Sequence, residues 1–156
     1  MLFRSAVRDG LSALYVERLS GRESVPVVSQ VGSRLPLHAT GVGKVLLASA
    51  PLDVVEHVLR SLTRQTRHTV VDPGRMRREL AEVRRRRYAR TSEEMSPGAA
   101  SLAVPVQVER RGGPVVVAAL GIVVPPHRRD LPRLVPVLEI AARGIGRELA
   151  RTRDFR

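Results

Sequence analysis

Hydrophobic positions recur along this chain with two different periods, and the changes of period divide it into elements. Ser5 to Arg8 and Leu11 to Leu19 read as strands flanking Asp9-Gly10, a dipeptide suited to the positive φ angles of a tight hairpin turn. In the second strand Leu14 and Val16, with Arg18, share one face while Tyr15, Glu17 and Leu19 share the other, so both sides are expected to be partly covered. Gly21 ends it. Ser24 to Gln30, with Val25, Val27 and Val28, reads as a further strand whose Pro26 suits an edge or a strand start.

A helical period follows. Pro36 keeps the approach extended and Thr40 is a capping residue ahead of an apolar run, which predicts a helix starting at Thr40 or Gly41 with Val42, Val45, Leu46 and Ser49 on its buried face. Pro51 opens a second helix carrying Val54, Val55, Val58, Leu59 and Leu62. After a polar connection from Thr63 to Val71, Asp72-Pro73 supplies a cap and a first-turn proline for a third helix. Met76, Leu80 and Val83 form its buried stripe, and it ends near Arg86. Its other face carries Arg75, Arg77, Arg78, Arg84, Arg85 and Arg87, a solvated face by default because Glu79 and Glu82 pair locally.

The strand period returns in Tyr88 to Thr91, with Ser92-Glu93-Glu94 as a turn. Ala99 to Glu109, Gly112-Gly113 and Pro114 to Val124 make the clearest hairpin. The unbroken run Val115 to Leu120 indicates burial on both faces, hence helices covering the sheet. Pro125-Pro126 breaks it, and Leu131 to Leu149 reads as a terminal helix with Leu134, Leu138, Ala141, Ala142, Ile145 and Leu149 inward and Pro132 in its first turn. This irregular order, with no repeated βαβ unit, predicts a single α+β domain over residues 1–156 with a mostly antiparallel central sheet and helices on its faces.

Composition narrows the chemistry. With 43% apolar residues and 156 positions the chain buries a sizeable core, and zero cysteines exclude disulfides, thiolate metal sites and a cysteine nucleophile. That usage fits a reducing cytoplasm, no secretory signal is apparent, and apolar runs such as Val115 to Pro126 are too short to cross a membrane. The formal charge of +12 suggests an anionic partner, but the arginines spread along the whole chain, and only 3% of residues are aromatic, so stacking platforms for single strands are missing. His38, His57, His68 and His127 show no close pairing, and Glu93 and Glu94 are adjacent rather than converging, so no enzyme activity, metal or cofactor is expected. Gly43-Lys44 is not a phosphate-binding loop, because His38 and Val45 stand where that motif needs a glycine and a hydroxyl.

One stretch is spelled specifically. Gly32-Ser33-Arg34-Leu35-Pro36-Leu37-His38-Ala39-Thr40-Gly41-Val42-Gly43-Lys44-Val45-Leu46-Leu47-Ala48 resembles the signature of the effector domain of IclR-type bacterial transcriptional regulators. A second block, Arg84 to Pro105 with Tyr88-Ala89, Glu93-Glu94, Gly98 and Ala103-Val104-Pro105, is similar to the family's Val-Arg-x-x-Gly-Tyr-Ala…Glu-Glu…Gly…Ala-Ala-Pro-Val region. The resemblance implies a GAF-like effector domain, a small organic or aromatic acid as effector, and a homodimer or tetramer. DNA would be reached only through an N-terminal winged helix-turn-helix domain that precedes the effector domain in the family and is missing from this chain.

The pocket positions that carry over are Leu35, Gly41, Val42, Thr91, Ala99, Ser101, Gly121 and Val123. Thr91 stands where the family often has aspartate, Ser101 where cysteine is common, and Gly121 and Val123 where serines are often found, which implies a less polar ligand. Read as residues alone, Leu35, Ala99 and Val123 are equally core positions. Gly41 and Gly43 leave the first helical turn bare, either for close packing or for an anion over its free N–H groups. Lys44 is expected to reach solvent or a neighbouring strand end, and His38 to pack beside the signature. Two other functions remain open: a regulator piece that binds nothing, and a basic adaptor holding an acidic partner through its arginine-rich helix.

Overall fold

The computed structural model of the chain describes residues 1–20 and 30–153. Its strands are β1 (Leu2–Asp9), β2 (Ser12–Ser20), β3 (Arg34–Pro36), β4 (Ala89–Ser92), β5 (Ala100–Arg110) and β6 (Gly113–Val124). Helices α1 (Gly41–Ala48), α2 (Leu52–Leu59) and α3 (Pro73–Arg86) lie between β3 and β4, and α4 (Val135–Arg153) closes the chain after a single tight turn at Leu131–Leu134. The strands form one sheet in the order β3-β2-β1-β6-β5-β4, antiparallel at every pairing, as the α+β reading requires. The strand expected over Ser24 to Gln30 lies outside the described residues except for Gln30, which is in neither helix nor strand.

Alternation along the two longest strands decides what packs on each face. On β5 and β6, Leu102, Val104, Leu120 and Ile122 point to α4, whose Leu138 and Ala142 complete that core. The opposite face presents small residues, Ala103, Ala119 and Gly121, and α1 lies there with α2 and α3 behind it. Small side chains let the helix approach closely, so every residue of α1 is buried, not just one stripe.

Both hairpin turns sit one residue from their expected places. Asp9 pairs with Ser12, so the first turn is Gly10-Leu11, with Gly10 at φ +60. Asp9 stays in the ladder, where its carboxylate meets Arg34 of β3 at 2.6 Å. The second turn is Arg111-Gly112, and Gly113, at φ +109, already belongs to β6. Two-sided burial on β6 covers Ala118 to Val124 instead of Val115 to Leu120, because the hairpin tip runs past the helices; Val115 is 45% exposed. Among the described side chains of β2 only Ala13 and Tyr15 are buried, while Val16 and Leu19 face solvent.

The capping expectations hold where they can be measured. Thr40 accepts from the Gly43 N–H and Asp72 from the Arg75 N–H, with Pro73 at the start of α3. The terminal helix begins at Val135 instead of Leu131, and its expected inward face is only half used: Leu138 and Ala142 are buried, but Ile145 and Leu149 are 37% and 40% exposed.

Candidate functional site

The signature segment is built around Thr40. Its hydroxyl donates to the Pro36 carbonyl at 3.2 Å and accepts from the Gly43 N–H at 3.0 Å, while its carbonyl accepts from the Lys44 N–H at 2.9 Å. A β-carbon on Gly41 would stand 2.6 Å from Ser101 Oγ, and one on Gly43 would overlap Thr40 and the Leu37 backbone. The first turn of α1 is therefore closely packed at both glycines. His38 lies as expected beside this loop, buried, with Nε2 donating to the Thr63 carbonyl at 2.7 Å; burial holds its pKa below the ordinary histidine value.

A small cavity opens between the sheet and the start of α1. Leu35, Ala39, Thr40, Thr91, Met95, Ser96, Ala99, Ala100, Ser101, Val123 and Arg4 line it. Five of the residues carried over from the family pattern, Leu35, Thr91, Ala99, Ser101 and Val123, thus meet on one cavity. Gly41, Val42 and Gly121 do not line it. Gly41 rests on Ser101, and Val42 Cγ1 fills the space where Gly121 lacks a side chain, at 2.9 Å from that absent β-carbon, so these three make the helix-to-sheet contact behind the cavity.

Thr91 and Ser101, opposite each other on β4 and β5, share a buried hydroxyl hydrogen bond of 2.5 Å. Across from them Arg4, only 8% exposed, places its guanidinium 4.8 Å from the centre of the Tyr15 ring. Burial lowers the arginine's pKa and raises that of Tyr15, yet a guanidinium stays charged over the whole physiological range. A first strand starting at Ser5 leaves Arg4 out of the candidate residues. The signal was available, since Leu2, Arg4 and Ala6 alternate inward on β1, which puts a charge on a core-facing position.

Lys44 turns away from solvent, toward α3 and the turn at the end of β4. Its side chain is 1% exposed, and Nζ donates to Glu79 at 2.6 Å and to Glu94 at 2.7 Å. Burial pushes the Glu94 carboxyl up and the Lys44 ammonium opposes that rise. The pair ties α1 and α3 to the turn that supplies Met95 and Ser96 to the cavity. Thr66 and Thr69 hydroxyls hold the Glu93 and Glu94 carbonyls of the same turn, both at 2.6 Å. Among the described residues no group of three His, Asp or Glu side chains could hold a metal ion, and no helix is long and apolar enough to cross a membrane.

The cavity thus brings hydroxyls, one guanidinium and apolar walls together between the sheet and a capped helix. Residues 4–147 match the family model described as the bacterial transcriptional regulator IclR C-terminal domain, so the chain belongs to the IclR family of transcriptional regulators. It is 34% identical over 146 residues to the HTH-type transcriptional regulator KdgR of Escherichia coli K12, covering 90% of this chain and 54% of that protein. To the probable transcriptional regulator SauR of Cupriavidus necator it is 33% identical, over 86% of this chain and 54% of the relative. The chain thus spans about half the length of these curated relatives. Among solved structures, an IclR homolog complexed with 4-hydroxybenzoate from Microbacterium hydrocarbonoxydans superposes with a TM-score of 0.87 at 36% identity, covering 96% of this chain and 61% of that one. The PobR inducer-binding domain of Acinetobacter, a double mutant in complex with 3-hydroxybenzoic acid, gives 0.78 at 30% identity, over 92% and 86%. These relatives are regulators, and the IclR family is not a family of enzymes.

Proposed function

We propose that this domain senses a small carboxylic acid with an apolar body, bound in the cavity between β1, β5, β6 and the start of α1. The observation that carries the reading is the convergence of the buried Arg4 guanidinium and the Thr91-Ser101 hydroxyl pair on one pocket walled by Leu35, Ala99 and Val123. A guanidinium gives a carboxylate a charge-assisted partner, the hydroxyls give its oxygens or a ring substituent a donor and acceptor, and the aliphatic walls take a ring or short chain. Hydroxybenzoates bound by two similar structures support the class.

The cavity holds about 20 Å³, room for one water and no organic acid. Occupation must therefore move a wall, and Met95 and Ser96, on the turn after β4, lie outside the sheet ladder and the capped helix. Movement there pulls on Glu94 and, through Lys44, on α1 and α3. Where such a domain is joined to a DNA-reading domain, we infer that the shift alters the latter, with copies pairing through the apolar surface that Val137, Ile140, Ile145 and Leu149 leave exposed on α4.

Melting curves of the chain with benzoate, 4-hydroxybenzoate and small aliphatic acids test the reading, because a ligand bound only by the native state raises Tm. We expect at least one acid to stabilise the native chain and none to stabilise Ser101→Phe, which fills the cavity. Equal shifts in both proteins would sink the assignment. The basic-adaptor alternative is disfavoured by α3 itself, where Arg75, Arg77 and Arg85 already meet Glu79, Glu56 and Glu82.

A further inference from the structure

We propose a second small-acid site, on the far side of α1 from the effector cavity, in a groove at the C-terminal ends of α1 and α3. The groove encloses about 470 Å³, within the range of small-molecule sites and far larger than the effector cavity. Its walls are Val45, Ala48 and Val83 from the helices and Pro105, Val115 and Val116 from the β5–β6 hairpin. This explains the exposure of Val115, which forms part of an apolar wall that no other element covers.

The charges in the groove all have one sign. Among the described residues Arg84 and Arg87 are its only charged lining residues, and no carboxylate lines it. The larger groove over Lys44 differs, since Glu79, Glu82 and Glu94 there offset the arginines. Arg84 is partly engaged, donating from Nη1 to the Ala48 carbonyl at 3.3 Å. Arg87 makes no ion pair among the described residues, and it also lines the adjoining hollow against α4, together with Pro105, Gln107, Glu139 and Arg143.

Arg87 holds this place at a conformational cost. It caps the C-terminus of α3 at φ +66, ψ +25, the left-handed region in which glycine is the usual residue. A residue disfavoured by its own backbone thus brings a guanidinium to the rim of an apolar groove lacking negative charge. The complementary ligand is a monocarboxylate with a compact apolar body, its ring or chain on Val83 and Val116 and its carboxylate on Arg87. The negative ends of α1 and α3 both face the groove, so the carboxylate depends on the guanidinium for its seat.

Methyl NMR of the whole chain tests this with benzoate as the probe and benzamide as its uncharged counterpart. Benzoate should shift the Val83, Val115 and Val116 methyls in a saturable way, and benzamide should bind at least roughly tenfold more weakly. Arg87→Gly relieves the left-handed backbone, so we expect its Tm to rise by about 2–4 °C while benzoate affinity at these methyls falls at least roughly tenfold. Arg87→Gln, which keeps the side-chain bulk without the charge, should lose the affinity as well. Met95 and Val123 methyls report the effector cavity separately, so that site's failure and this one's are distinguishable. No shift of the groove methyls up to roughly 10 mM benzoate, equal binding of benzamide, or unchanged affinity in Arg87→Gln would each overturn the proposal.

Discussion

Replacing Lys44 with methionine probes the least expected contact in the molecule. The ammonium is 1% exposed and bonds two carboxylates, and the consequences for the two differ. Glu79 has a side chain 31% exposed and a second cation, Arg75, at 3.3 Å, so it recovers a partner and water. Glu94, with a side chain only 11% exposed, is left as a buried carboxylate. Removing one member of a buried pair costs about 3–5 kcal/mol, most of it the desolvation of the charge left behind. For a domain of this size each kcal/mol moves Tm by about 2–4 °C, so the variant should melt roughly 6–20 °C lower at pH 7.5. Burial already raises the Glu94 pKa, and without Lys44 it rises further; the native state then binds more protons than the unfolded chain above the ordinary glutamate pKa. Stability consequently falls as pH rises, and Lys44→Met should lie closer to the native chain at pH 5 than at pH 8. Adding Glu94→Gln should restore much of the loss, since the uncompensated charge is gone. Differential scanning calorimetry of the three proteins across pH reads all three effects. A Tm within one or two degrees of the native chain at pH 7.5, or no recovery in the double variant, would refute the reasoning.

Two further outcomes follow from single contacts. His38 is buried with a lowered pKa, so it contributes stability that is complete above the ordinary histidine value near 6.5 and is lost as pH falls below it; denaturant titrations of His38→Gln should lose that slope. In α4, Gly144→Ala meets only Arg147 Nη2 at 3.9 Å and should stabilise by about 0.5–1 kcal/mol. Gly146→Ala would overlap the Gln107 carbonyl oxygen, a backbone atom that cannot rotate away, and should destabilise by roughly 1–3 kcal/mol despite alanine's better helix propensity. Thermal melts showing the same sign for both substitutions would contradict this account.

Local physical chemistry is legible in a linear sequence because its partners lie within a few residues. Thr40 and Asp72 cap helices whose first N–H groups are three positions away, and glycines mark the two hairpin turns, each displaced by one residue because Asp9 and Gly113 join the ladders. The signature and the second block were sufficient to identify the family, and five of the eight carried-over residues share one cavity because strand alternation places them on the α1 face. What the tertiary structure alone decided involves long separations and excluded volume. Arg4 reaches the cavity because β1 inserts between β2 and β6, an order that no local pattern specifies. Lys44 is buried because Glu79 and Glu94, 35 and 50 residues away, converge on it from two other elements. Gly41 and Gly121 proved to be places where a helix touches a sheet, and the apolar face of α4 outruns the core it was expected to cover. In each case the deciding quantity is which surfaces meet, and that is set by the packing of the whole sheet with its helices.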